Sequence, residues 1–251
     1  MARAAGRLLD RRAALLVCDV QEAFRPAMGP AFAPLVASVG AAVRGAKALQ
    51  LPVIVSEQYP QRLGSTVEEL AGALEGCPVF AKTRFSMVGP PGAEGAMAEL
   101  RKAGAEAVLL CGVEAHVCVL QTALDLLARG VEVHVLADAC QSQRMAEKRL
   151  ALRRMERAGA HLSSVETALF DLLGEKEHPA CRKFSLRVPA SWEDAGLSIA
   201  LERACVDGFR RRPPAPRPQE RALHGAPTRR PRAYRPECCI AGAEPLGLLR
   251  G

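Results

Sequence analysis

Residues 13–18 (AALLVC) are apolar without interruption and end at Asp19, the pattern of a strand buried on both faces. The same pattern places strands at 52–56 (PVIVS), 78–82 (PVFAK), 107–113 (AVLLCGV) and 131–137 (VEVHVLA), with a short sixth at 160–163. Between them the apolar period lengthens to that of a helix. Val36, Val39, Val43 and Leu49 mark a helix over 31–50, followed by Pro52. Further helices are predicted over 92–104, 116–129 and 143–158, ending near Gly104, Gly130 and Gly159, and one more runs through Leu173 to Gly174. Thr66, with Glu69 three residues on, has the spacing of a capping box opening a short helix.

Apolar strands alternating with helices imply parallel βαβ units. The predicted architecture is a three-layer α/β fold: a doubly wound, Rossmann-like, mainly parallel sheet of six strands. In such sheets, sites form beyond the carboxyl ends of the strands. That directs attention to Asp19, the 57–62 segment, Lys82, the 112–118 segment and Asp138.

Composition divides the chain. Residues 1–178 hold 20 Lys+Arg and 20 Asp+Glu, whereas 179–251 hold 14 and 7, so the whole net charge of +7 lies in the second part. Ten of the 18 prolines also fall there, including RRRPPAPRP (210–218). Pro and Arg at that density do not build a packed core. The expected organisation is a flexible N-terminus over 1–10, a folded α/β domain over 11–178 and a largely disordered tail over 179–251. The tail's charge gives non-specific attraction to anions such as nucleic acid and no sequence-specific site.

Nine cysteines without framework or zinc spacing read as reduced thiols, most of those before residue 178 lying in apolar runs, and Cys111 and Cys140 read as core residues. No uninterrupted apolar run reaches the roughly 18 residues of a membrane span, so no membrane partner is expected. The N-terminus lacks the apolar segment of a secretory signal. The expected location is cytoplasmic, with the nucleus also open to it; the Arg-rich N-terminus leaves a mitochondrial address as the alternative.

Three reactive side chains fall just past three predicted strands: Asp19, Lys82 and Cys118. A thiol becomes a nucleophile when a base removes its proton and a cation or helix N-terminus favours the thiolate. Asp19 supplies the base, Lys82 the cation, and Cys118 opens a helix.

These residues sit in motifs that resemble a known family. CDVQEAF (18–24), AKTRFS (81–86) and CGVEAHVCVLQTALDLL (111–127) are similar, in order and spacing, to the motifs of the isochorismatase-like cysteine hydrolases, which include nicotinamidases and carbamoylsarcosine amidases. The resemblance covers about 10–175. It implies that Cys118 attacks a carbonyl carbon, that Asp19 is general base and later proton donor, and that Lys82 holds the pair. It further implies a cis Val113–Glu114 peptide, an oxyanion hole from the backbone N–H groups of Glu114 and Cys118, and Phe24 packed on the substrate. Gln21, Tyr59 and His116 are the other expected substrate-binding residues.

The metal site of nicotinamidases is not matched. The stretch corresponding to their Asp/His/His set is SEQYPQRLGS (56–65), without histidine. No metal and no cofactor are therefore expected, and Glu57, Gln58 and Arg62 join Tyr59 as pocket residues. The reading is a metal-independent hydrolase of a small amide, ester or related acyl substrate, with self-association a property the family often shows. The rival reading is a non-catalytic protein-interaction module that keeps the hydrolase fold. His134 in its apolar strand, and Asp138 at its end, read as structural.

Overall fold

The two most apolar runs become the two central strands, because only there are both faces covered. They are β1 (Ala13–Cys18) and β4 (Ala107–Val113), and every residue in both is buried. The computed structural model describes residues 6–8, 12–89 and 95–180. Around the central pair lie β2 (Val53–Gln58), β3 (Val79–Lys82), β5 (Glu132–Gln141) and β6 (His161–Ser163). The order is β3-β2-β1-β4-β5-β6, with every pairing parallel. β3 is an edge strand, and its alternating partial exposure follows from that position. The chain leaves β1 for β2 on one side and later returns to β4 on the other. The crevice of a doubly wound sheet opens at such a switch point.

The helices are α1 (Arg25–Met28), α2 (Phe32–Ala48), α3 (Pro60–Leu63), α4 (Ala71–Leu74), α5 (Ala96–Lys102), α6 (Leu120–Ala128), α7 (Met145–Ala158) and α8 (Val165–Leu173). α2 packs with α8, and α6 with α7, as two helix pairs flanking the sheet. In α2, Leu35, Val39, Ala42, Val43 and Ala46 recur at helical spacing and are buried. Ser164 caps α8, its Oγ accepting from Thr167 N at 3.1 Å.

Four expectations need correction. The strand read as 131–137 continues to Gln141, because β5 bulges: Leu110 pairs Val135, but Gly112 pairs Cys140. Asp138 therefore lies inside β5, where its carboxylate accepts Val165 N–H at the start of α8. The helix read from 116 starts as a π-helical turn over Ala115–Val119 before α6. Thr66 forms no capping box; its N–H and hydroxyl both donate to Glu57 Oε1, and Glu69 pairs with Arg25 instead. Finally, the helical run Glu22–Ala48 is long and apolar enough, at mean hydropathy 1.4, to pass as a membrane span. Pro26, Pro30, Pro34 and Ser38 interrupt the apolar run between Arg25 and Arg44, and here the segment supplies core contacts to the sheet. The tail beyond 180, and most of residues 1–11, lie outside the described residues.

Candidate active site

Asp19 follows β1 with φ 53°, a left-handed conformation that Asp tolerates better than most residues. This turn leaves the carboxylate fully buried at the end of the central strand. Ser56, from the neighbouring β2, donates to Asp19 Oδ1 at 2.7 Å. Lys82, the last residue of β3, donates to Asp19 Oδ2 at 2.7 Å across the width of β2. Lys82 also donates to Gln58 Oε1 at 2.7 Å and to the carbonyls of Phe85 (2.8 Å) and Arg84 (3.2 Å). Its ammonium is thus surrounded by acceptors. Burial alone would pull the Lys82 pKa down; the facing Cys18, Asp19 and Cys118 more than offset this, so it is held above the usual lysine value.

Cys118 arrives from the other side of the switch point, in the π-helical turn after β4. The sulfur atoms of Cys18 and Cys118 and a carboxylate oxygen of Asp19 all lie within 4.8 Å of one another. Cys118 is 4% exposed. Thr122, one turn on, donates to Cys118 O at 2.7 Å and accepts Met87 N–H at 2.9 Å. It ties the turn that holds Cys118 to the loop carrying Lys82's carbonyl partners. The Val113–Glu114 peptide is cis, as the family resemblance implies. The three residues singled out from the sequence therefore converge from three strand ends.

The close approach depends on Gly112. Its φ is +116°, and a Cβ built there would lie 2.0 Å from Cys18 O. Only glycine lets β4 run this near the end of β1.

The other expected residues separate by their partners. Gln21 is fully buried and its amide is committed: Nε2 donates to the carbonyls of Gln58 (3.0 Å) and Gly64 (2.6 Å), and Oε1 accepts Gln58 N–H at 2.7 Å. It clamps the segment after β2 to the segment after β1. Glu57 is taken by Thr66, and Gln58 by Lys82 and Thr83 O. Phe24 is half-buried against the core. Tyr59 is 45% exposed in a left-handed conformation. His116 is half-buried, its Nδ1 3.0 Å from Ser142 Oγ, and Glu114 Oε2 lies 3.7 Å away. Arg62 is exposed beyond the site.

Sequence reasoning missed Ser56, Thr122 and Cys18. Cys18 was read only as the end of a buried strand, yet its thiol donates to Asp19 Oδ2 at 3.4 Å. Burial pushes this thiol well up, and its hydrogen bond with Cys118 and the Asp19 charge push it further. Its position directly before Asp19 was the available signal. Cys111 and Cys140 are buried on backbone carbonyls, as read, with Cys140 pushed by burial up to about 12. A separate cleft of about 440 Å³ opens near Lys47, Pro52, Val53, Pro78 and Lys102, by the amino ends of β2 and β3; it holds none of the converging groups.

The Isochorismatase domain family matches residues 13–167. Isochorismatase domain-containing protein 1 of Salmo salar is 46% identical over 194 residues, which cover 76% of this chain and 66% of that protein; the chain thus spans just under two thirds of that relative. Human isochorismatase domain-containing protein 2 is 42% identical over 194 residues, covering 76% of this chain and 90% of that protein. A structure described as the MAR1 ribonuclease of Caenorhabditis elegans superimposes with a TM-score of 0.69 at 40% identity, covering 76% of this chain and 96% of that one. The matched span runs from the first residue of β1 into α8 and includes all three converging residues: the chain belongs to the isochorismatase domain family of α/β hydrolases.

Proposed function

We propose that the protein is a cysteine hydrolase of a small amide, ester or related acyl substrate, working through Asp19, Lys82 and Cys118 without a resident metal. The observation that carries this is a buried carboxylate paired with a lysine, with the Cys118 thiol beside it. Lys82 Nζ lies 2.7 Å from Asp19 Oδ2, and Cys118 Sγ lies within 4.8 Å of an Asp19 oxygen. Asp19 takes the Cys118 proton as substrate enters. The thiolate attacks the carbonyl carbon, and Lys82 stabilises the negative charge as it moves from carboxylate to sulfur. The backbone N–H groups of Glu114 and Cys118 receive the oxyanion. Asp19 returns its proton to the leaving group, then activates the water that hydrolyses the acyl-cysteine.

The metal-free reading rests on commitments already made. Ser56, Lys82 and Cys18 occupy the carboxylate oxygens of Asp19, and the 56–65 stretch offers no histidine. In this reading Phe24, Tyr59 and His116 are the substrate contacts, and Gln21 positions the segment that carries Tyr59 through its bonds to Gln58 and Gly64.

The test is a panel of amides, esters and thioesters, with RNA added because the nematode relative is described as a ribonuclease. Covalent adducts on Cys118 are followed by mass spectrometry. Cys118→Ala is expected to abolish turnover, and Asp19→Asn to reduce it by about 10²–10⁴-fold, the usual worth of a general base. Turnover that survives Cys118→Ala overturns the nucleophile. A panel with no Cys118-dependent turnover, beside a stable protein partner, favours the non-catalytic reading.

A further inference from the structure

The mechanism above uses one thiol, but the site holds two. Cys18 is fully buried, its sulfur shares the same cluster as Cys118 and Asp19 within 4.8 Å, and it donates to Asp19 Oδ2. Among the described residues, the other buried thiols are engaged elsewhere: Cys111 Sγ on Leu16 O and Cys140 Sγ on Leu110 O. We propose that Cys18 and Cys118 form a reversible peroxide-responsive pair, in which Cys118 is oxidised first and Cys18 resolves it to a disulfide that switches the site off. This rests on the reading of Cys118 as the site's reactive thiolate.

Both steps follow from the placement. Cys118 is the slightly exposed member, and once Asp19 has taken its proton it is in the form that reacts with hydrogen peroxide. Its sulfur bonds to one peroxide oxygen and the O–O bond breaks. The second oxygen leaves as hydroxide and takes up the proton Asp19 had removed from Cys118. Cys18, a protonated thiol hydrogen-bonded to the same carboxylate, then attacks the sulfenic sulfur. The S–S bond forms, the S–O bond breaks, and the Cys18 proton passes through Asp19 to the departing hydroxide. Two thiols and one peroxide give one disulfide and two waters. The sulfurs must close to a bond of about 2.05 Å, a movement within reach of a turn that already brings them within 4.8 Å. A thiol reductant reverses the change, whereas a sulfinic acid would be permanent.

The experiment exposes the full chain to hydrogen peroxide, blocks free thiols with iodoacetamide, and maps all nine cysteines by mass spectrometry before and after dithiothreitol. The expected result is a Cys18–Cys118 linked peptide, lighter by two hydrogens, with loss of Cys118 labelling that dithiothreitol restores. In Cys18→Ser, Cys118 should run on to sulfinic acid and labelling should not return. In Cys118→Ser, Cys18 should stay a free thiol at the same peroxide dose. Sulfinic acid at Cys118 in the unmodified sequence, to the same extent as in Cys18→Ser, overturns the proposal, as does a Cys118 left unoxidised. The readout needs no substrate. A linked peptide beside turnover that survives Cys118→Ala would sink the hydrolase reading alone; Cys118-dependent turnover without the link would sink this one alone.

Discussion

Replacing Gly112 by alanine should damage the fold and the site together. The added Cβ would meet Cys18 O at 2.0 Å, Cys18 N at 2.7 Å and Cys18 C at 2.8 Å, against 3.4–4 Å for ordinary contact. All three atoms are backbone, so no flexible side chain can yield. β1 and β4 must part by more than about 1 Å where Cys18 pairs with Gly112. Loss of about two ladder hydrogen bonds costs roughly 1–3 kcal/mol. An alanine held at φ +116° adds on the order of 1–3 kcal/mol. The sum, about 4 kcal/mol, lies in the tail of single-substitution effects. Gly130→Ala is the control: φ is +76° but nothing lies within 4 Å, so it carries backbone strain alone, about 1–2 kcal/mol. Urea unfolding of both variants measures the difference, and iodoacetamide labelling reports Cys118, which the parted strands should leave displaced from Asp19. A Gly112→Ala protein no less stable than Gly130→Ala, with Cys118 labelled at the original rate, would refute the reasoning.

Three further outcomes are expected. Lys82→Met leaves the buried Asp19 charge unpaired and should cost about 3–5 kcal/mol; because the Lys82 pKa is raised, its stabilisation is full below pH 10.5 and fades above it, so melting against pH should show an alkaline fall in the parent that the variant lacks. Lys148 is the opposite case, a buried ammonium with no hydrogen-bond partner among the described residues, held below 10.5 by desolvation that Cys140 and Asp138 only partly offset. The unfolded chain binds more protons between that lowered value and 10.5, so stability rises with pH across this window; Lys148→Met should flatten the rise and raise the melting point at pH 7, and no gain at pH 7 would count against it. Thr122→Val strands the buried Met87 N–H and should cost about 1–3 kcal/mol in urea unfolding, with no loss if that bond is unimportant.

The strands were readable because β1 and β4 are apolar on every residue, a pattern that only a sheet covered on both faces explains. The β5 boundary was not, since the bulge that carries the strand through Asp138 answers to Gly112 and α8, both distant in sequence. Thr66 failed as a cap for a similar reason: a carboxylate from β2 offered it a better partner than the helix did. In the site, Asp19, Lys82 and Cys118 stood out as reactive residue types past strand ends. Cys18 did not, because an apolar strand hides a thiol that the turn at Asp19 brings onto the carboxylate.

By itself, then, the chain's pattern determined the alternation of strands and helices, the parallel sheet and the three candidate positions past strand ends, all of which depend on period, residue type and local turns. Tertiary structure decided which thiols share one carboxylate, which polar side chains are spent as clamps, and how close β1 and β4 run. Those depend on strand order and on contacts between segments tens of residues apart. No local pattern encodes a distance such as the 2.7 Å from Lys82 to Asp19 across β2.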